Sequence, residues 1–362
     1  MNFKRLGSVA AIAVAGTILL SSCAANEGTA PADGESASSL SGTIAGAGAS
    51  SQGSAQEAWQ KAFQEANVDV TIDYDPSGSG AGREAFIAGG VAFAGTDSYL
   101  SDEEIAGGFA SCVPDSGYIE VPAYISPIAV VFKVDGVEEL NLDAATLASI
   151  FKGDITNWND DAIAALNPDA TFPDASITAV HRSDDSGTTK NFADYLGKNA
   201  TDIWTEEASD TFPYGGEAAA KTAGVIDAVT NGSNTIGYAD ASQAGDLGVA
   251  KIKVGDEFVA YTPEAAAAVV EGSPAVEGRE AGDLAIDLDR TTTDPTHYPL
   301  VLVSYLIACG EYTDAEEGAI AKAYISYATS EEGQATAADA AGAAPLTGEL
   351  LSSVATAVAT IK

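Results

Sequence analysis

Apolar positions recur along this chain with two periods, and the switching between them is its main organising signal. Val68 to Tyr74 reads Val-Asp-Val-Thr-Ile-Asp-Tyr, apolar at every second position, which predicts a half-buried strand. Just before it, Ala58, Trp59, Ala62 and Phe63 recur at helical spacing and predict a helix over 55–66. The same reading predicts short strands over 41–44, 91–95, 177–181 and 235–238. It predicts helices over 83–89, 143–151, 160–166, 186–196, 217–229 and 315–329. Ser101-Asp102-Glu103-Glu104 reads as an N-cap followed by acids in the first turn.

Two runs depart from this rhythm. Val121 to Val134 and Tyr298 to Ala308 are apolar almost throughout, as strands buried on both faces are. Strands alternating with helices predict an α/β protein with parallel sheets. The two apolar runs then read as crossings between two lobes, each a central, mostly parallel sheet flanked by helices. Lobe one takes 41–126 plus 304–362 and lobe two takes 127–303, with hinges near 125–130 and 298–305. No internal repeat of solenoid length is visible.

The N-terminus carries an address. Lys4 and Arg5 precede an apolar run from Leu6 to Leu20, too short to span a bilayer comfortably and typical of a signal-peptide core. It closes on Leu20-Ser21-Ser22-Cys23, which resembles the bacterial lipobox whose Cys is lipid-modified and becomes the mature N-terminus. Residues 1–22 are therefore expected to be a signal peptide, and 23–40 the lipidated Cys23 and a flexible linker of small polar residues. No later apolar run is long enough for a membrane helix. The body is expected outside the cell, anchored to the outer face of the membrane. With Cys23 taken by lipid, Cys112 and Cys309 remain in an oxidising compartment, which predicts a disulfide between them; two buried free thiols are the alternative.

The chain has 362 residues, 53 Asp plus Glu against 16 Lys plus Arg, and a net charge of −37. Phosphate backbones are held by clustered cations, so no nucleic-acid partner is expected. The same acidity superficially opposes any anionic ligand.

Three segments nevertheless share one design, a strand followed by a Gly, Ser and Thr loop and a helix start. They are Gly46 to Ser51, Ser77 to Gly82 and Asp184 to Thr189. A helix N-terminus offers unpaired N–H groups and a partial positive charge, so it receives anions without a cation. Arg182 precedes the third corner, where a guanidinium is suited to grip an oxyanion through two donors, and Asp184 is placed to hold it. Asp97 follows a predicted strand into a loop. A Ser/His/Asp hydrolase needs a His base, and the chain has only His181 and His297. Gly-x-Ser-x-Gly and phosphate-loop motifs are both absent. Strand alternation also points His181 away from the face of Arg182. No metal is expected, because the acids lack a Ca²⁺-loop pattern and the two His are far apart.

On these residues the chain resembles the phosphate-binding lipoproteins of bacterial ABC uptake systems, particularly those of high-GC Gram-positive bacteria. The matching stretches are Gly46 to Ser50, Tyr74 to Gly82, Phe93 to Asp102, Leu147 to Trp158, Val180 to Thr188 and Ile236 to Tyr238. They run in the family's order over about 41 to 350, and Arg182-Ser-Asp-Asp-Ser-Gly-Thr188 is the most specific. The resemblance implies a two-lobed periplasmic-binding-protein fold that closes on inorganic phosphate and hands it to the membrane permease of an ABC transporter. It implies no cofactor and no chemistry on the ligand, and a monomer is expected. By motif, Ser50, the backbone of Ser51, Ser79, Arg182, Ser186, Gly187 and Thr188 are the phosphate donors, Asp97 the acceptor and Asp184 the partner that orients Arg182. The family often has Thr-Phe at Ser50-Ser51 and Pro at Gln52, so the first corner departs from its pattern.

Asp97 carries the expected selectivity. Phosphate at neutral pH keeps a proton to donate and sulfate does not, so a buried carboxylate accepts from the first and repels the second. Sulfate or molybdate on the same scaffold is the alternative ligand. A phosphatase or hydrolase and a surface adhesin are the alternative classes.

Overall fold

The computed structural model describes residues 40–362. The expected signal peptide, Cys23 and the linker as far as residue 39 lie outside the described residues. The first strand, β1 (Gly42–Gly48), passes through a 3-10 turn at Ser50–Gln52 into α1 (Gly53–Ala66). β2 (Val70–Asp75), α2 (Ser79–Ile87), β3 (Phe93–Thr96) and α3 (Asp102–Gly107) follow. In β2 the inward positions are Val70, Ile72 and Tyr74, as the alternation predicts for a strand at a sheet edge. Ser101 caps α3 in a capping box with Glu104.

β4 (Tyr118–Lys133) is a single strand of 16 residues, buried everywhere but Lys133. β5 (Asn141–Leu142), α4 (Ala144–Lys152), α5 (Asp161–Leu166), β6 (Thr178–Arg182) and α6 (Gly187–Asn199) come next. Asp143 and Asp160 cap α4 and α5 through their carboxylates. β7 (Glu217–Ala219), α7 (Lys221–Asn231), β8 (Thr235–Asp240), β9 (Gly248–Val249), β10 (Lys251–Val254), β11 (Glu257–Val259) and α8 (Pro263–Gly272) complete the middle of the chain. The return strand β12 (Val301–Cys309) leads to α9 (Ala315–Ala328), α10 (Glu331–Ala341) and α11 (Gly348–Ala359).

The main sheet runs β2-β1-β3-β12-β4-β8-β6-β7, with β9 added beside β4. β2, β1 and β3 are parallel, as are β8, β6 and β7. The two long apolar strands are the exceptions to the parallel reading: β12 runs antiparallel to β3 and β4, and β4 antiparallel to β8. β4 joins the two halves, pairing with β12 through Pro127 and with β8 from Ile128 onward. A second sheet, β11-β10-β5, lies apart.

Two sequence expectations need correction. Residues 217–229 are not one helix: Glu217–Ala219 pairs with β6 as β7, and α7 starts at Lys221. The Glu-Ala-Ala-Ala-Lys string has strong helix propensity, and edge pairing overrides it. α2 begins at Ser79 rather than near 83, because Gly82 N already donates to Gly78 O at 3.0 Å, so the Gly/Ser corner is itself the first turn. α8, α10, α11 and the small sheet were not anticipated.

Cys112 and Cys309 form a disulfide with Cα atoms 5.2 Å apart, so of the two thiol states the sequence left open the structure has the bridge. No helix among the described residues is long and apolar enough to cross a membrane.

Candidate functional site

The loops at the carboxyl ends of β1, β3 and β6 converge, which is where ligands sit in open α/β sheets. Asp97, one residue past β3, is the centre. Its Oδ1 accepts from Ser51 Oγ and from Ser304 Oγ, each at 2.6 Å, and its Oδ2 from Thr188 Oγ1 at 2.7 Å. Its backbone N–H donates to Ser79 Oγ at 3.1 Å, and its carbonyl accepts from Asn191 Nδ2 at 2.7 Å. The Asp97 carboxylate thus gathers the first corner through Ser51, the third through Thr188 and β12 through Ser304, while its backbone N–H holds the second corner through Ser79. Burial pushes the Asp97 carboxyl above its ordinary range, while the hydroxyls of Ser304, Ser51 and Thr188 and the charge of Arg182 pull it back.

Close approach of the corners depends on two glycines. A Cβ on Gly187 would lie 2.8 Å from Asp97 Cβ, Ser79 Oγ and Ser98 N, so any side chain there drives α6 away from the second corner and from the loop that carries Asp97. Gly78 has φ 110°, and its Cβ would lie 2.6 Å from Asp184 Oδ2. Ser186 caps α6 by accepting from Thr189 N at 3.2 Å.

Arg182, buried at the end of β6, donates from Nε to Asp184 Oδ1 at 2.8 Å and from Nη2 to Asp184 Oδ2. Lys221 N, at the start of α7, donates to the same Oδ1 at 2.9 Å. Burial opposes the charge on Asp184, but Arg182 and the backbone donors hold its carboxyl below the usual range. His181 faces the other way, with its ring stacked on Phe212 at 4.2 Å. Ser50 is engaged elsewhere: its Oγ lies 2.9 Å from Thr222 Oγ1 and accepts from Thr222 N at 3.0 Å. The first corner therefore sends Ser51, not Ser50, to Asp97, and Ser50 docks it against α7.

Sequence reasoning missed Gln52, Ser304, Asn191, Thr222 and the pair Arg83–Asp210. Ser304 had a readable signal, a small hydroxyl inside the apolar run of β12. Gln52 had none beyond its departure from the family's Pro. Asp210 belongs to a loop without periodicity, and only the fold shows that it meets Arg83 at 2.6 Å and Ser98 Oγ at 2.9 Å. Among the described residues, no group of three or more His, Cys, Asp or Glu is placed to hold a metal ion.

Hydroxyls, helix starts, one arginine and one buried carboxylate thus meet at the carboxyl ends of the strands of an α/β sheet. A family model described as a PBP superfamily domain matches residues 29–332. Phosphate-binding protein PstS 3 of Mycobacterium tuberculosis is 34% identical over 373 residues, covering 99% of both chains. Phosphate-binding protein PstS 2 of the same organism is 32% identical over 340 residues, 91% of both. Among solved structures, a high-affinity periplasmic phosphate-binding protein (PfluDING) bound with phosphate superposes with a TM-score of 0.69 at 22% identity, over 87% of this chain and 93% of that one. A phosphate binding protein from Stenotrophomonas maltophilia gives 0.62 at 19% identity, over 87% and 94%. The chain belongs to the PstS family of phosphate-binding proteins within the PBP superfamily.

Proposed function

We propose that this protein captures inorganic phosphate outside the cell and delivers it to the membrane permease of an ABC transporter. The observation that carries the reading is Asp97, a residue held by hydroxyls from three separate corners, two of them on its buried carboxylate, and within the field of Arg182. The backbone of Ser51, Ser79, Arg182, Ser186 and Gly187 supply donors to the phosphate oxygens, joined by Ser50 and Thr188 through their backbone N–H groups, since their hydroxyls face Thr222 and Asp97. Asp97 accepts a hydrogen bond from the proton that phosphate still carries, and Asp184 keeps the Arg182 fork aligned. The ligand enters and leaves unchanged, so the protein is a carrier and not an enzyme.

Delivery works by hinged closure of lobe one (41–126 and 304–362) on lobe two (127–303). The switch of partners within β4 at Pro127–Ile128 supports a hinge in that stretch. The disulfide falls within lobe one and leaves the hinges free. Lipid on Cys23 tethers the monomer to the outer face of the membrane, where the permease is within reach.

Titration calorimetry with phosphate, sulfate and arsenate tests the reading. Phosphate and arsenate, which both keep a proton near neutral pH, are expected to bind and sulfate to bind far more weakly. Asp97→Asn is expected to narrow the gap between phosphate and sulfate at least tenfold. Preferred binding of sulfate, or a variant that keeps the selectivity, overturns the assigned role of Asp97.

A further inference from the structure

The acceptor Asp97 is itself controlled from behind, by residues that are outside the phosphate-donor set. Tyr324 OH on α9 donates to Gln56 Oε1 at 2.6 Å. Gln56 Nε2 donates to Gln52 Oε1 at 2.8 Å, and Gln52 Nε2 donates to Ser304 Oγ at 2.7 Å. Ser304 Oγ then donates to Asp97 Oδ1 at 2.6 Å. All five side chains are buried.

The direction of this chain is forced. Gln52 Nε2 also lies 3.1 Å from the Tyr305 carbonyl, which only accepts, so that end of the amide is the nitrogen. Gln52 Oε1 must then receive from Gln56, and Gln56 Oε1 from the tyrosine. Ser304 has its acceptor side occupied by Gln52 and keeps its proton for Asp97. Consecutive donors polarise one another in a low-dielectric interior. A carboxylate has about four lone-pair positions, and Ser51, Ser304 and Thr188 use three of them.

We infer that Tyr324, Gln56, Gln52 and Ser304 form a one-way hydrogen-bond chain that holds Asp97 as a pure acceptor, and that this chain sets how strictly the site rejects oxyanions that carry no proton. The inference rests on the phosphate reading of Asp97. The four are positioning residues, acting through Asp97 rather than on the ligand. Other groups bear on Asp97 too. Arg182 on β6 and Tyr74 on β2 couple to it electrostatically. Lys190, Asp194 and Lys198 on α6, with Asp287 and Arg290, line a cavity of about 110 Å³ that reaches it. None of these is altered by the variants below.

Sulfate has no proton to give, so it binds well only when Asp97 is protonated and donates. Sulfate affinity measured against pH therefore reports the protonation of Asp97. Ser304→Ala removes one donor from the carboxylate and is expected to move the rise in sulfate binding up by about one pH unit, while Ser304→Thr restores the wild-type profile. Tyr324→Phe keeps the ring and removes only the far hydroxyl, and is expected to move it the same way by a few tenths of a unit. It also serves as the readout should Ser304→Ala fail to fold. Profiles that superpose on wild type for both variants overturn the inference, and a shift with Ser304→Ala alone overturns the chain beyond Ser304. Asp97→Asn separates the two levels: if it leaves phosphate-over-sulfate selectivity intact the phosphate reading of Asp97 fails, and if it abolishes selectivity while the chain variants do nothing only the chain fails.

Discussion

Asp210 binds Arg83 through its carboxylate, at 2.6 Å, and fixes the start of α6 through its carbonyl, which accepts from Ser186 N at 2.9 Å. The second and third corners are thus tied by one residue of an irregular loop. Arg83 also donates to Glu104 at 2.8 Å, to Thr96 Oγ1 at 3.0 Å and to Ser98 Oγ at 2.8 Å, so it stays paired when Asp210 is removed.

That asymmetry makes Asp210→Ala the informative change. In the proposed two-lobed arrangement Arg83 and Asp210 lie on opposite lobes, and their contact forms on closure. A hydrogen-bonded charge pair with both partners mostly buried contributes about 1.5–3 kcal/mol, so Asp210→Ala is expected to weaken phosphate binding about tenfold or more. The loss is expected in faster release, with capture little changed, since the pair is made only after encounter. Stopped-flow kinetics with phosphate checks this. An unchanged release rate would show that the pair does not help hold the lobes together.

Arg182→Lys tests the fork rather than the charge. Arg182 meets Asp184 through Nε and Nη2 together, a two-point geometry that an ammonium cannot reproduce. Lysine keeps the positive charge near Asp97 but releases Asp184, which then has the Lys221 N–H as its remaining backbone tie to α7. Phosphate affinity is expected to fall ten- to a hundredfold in calorimetry while the thermal midpoint without phosphate moves little. Wild-type affinity in this variant would mean that charge alone is what Arg182 supplies.

The parts of this molecule legible in its sequence are those whose causes are local. The alternation of Val70, Ile72 and Tyr74 follows from one strand packing one face on the core. The caps at Ser101, Asp143, Asp160 and Ser186 are satisfied within two or three residues of themselves. The three Gly/Ser corners announce themselves by composition. Ser304 meets Asp97 across 207 residues, Gln52 meets Ser304 across 252, and Arg83 meets Asp210 across 127. Such partners are set by strand order, which periodicity does not encode. The failure at Glu217–Ala219 has the same origin, because β6 recruits a segment whose own propensity is helical. The net charge of −37 was misleading for a related reason. It describes a screened surface, whereas the proposed site works through short-range donors placed by the fold.

Asp240 allows a prediction about stability that is independent of the ligand. It ends β8, is fully buried, and accepts through Oδ1 from Tyr124 OH and Ser242 N, each at 3.0 Å, while Oδ2 has no partner. Burial, only partly offset by Ser242, Ser126 and Tyr124, pushes its carboxyl up to about 6. An unfolded Asp loses its proton near 4, so between roughly pH 4 and 6 the folded state binds more protons, and stability falls as pH rises through that window. The loss is on the order of 3 kcal/mol and is complete above the folded value. Asp240→Asn keeps an oxygen for Tyr124 and Ser242 and cannot ionise. Its amide nitrogen replaces an unpartnered oxygen, which costs stability equally at every pH. Urea unfolding from pH 4 to 8 is therefore expected to show the variant gaining on wild type by about 3 kcal/mol as pH rises to about 7, with the offset between the two curves constant above that. Curves that stay parallel across the range would show that the Asp240 carboxyl titrates alike in the folded and unfolded chains.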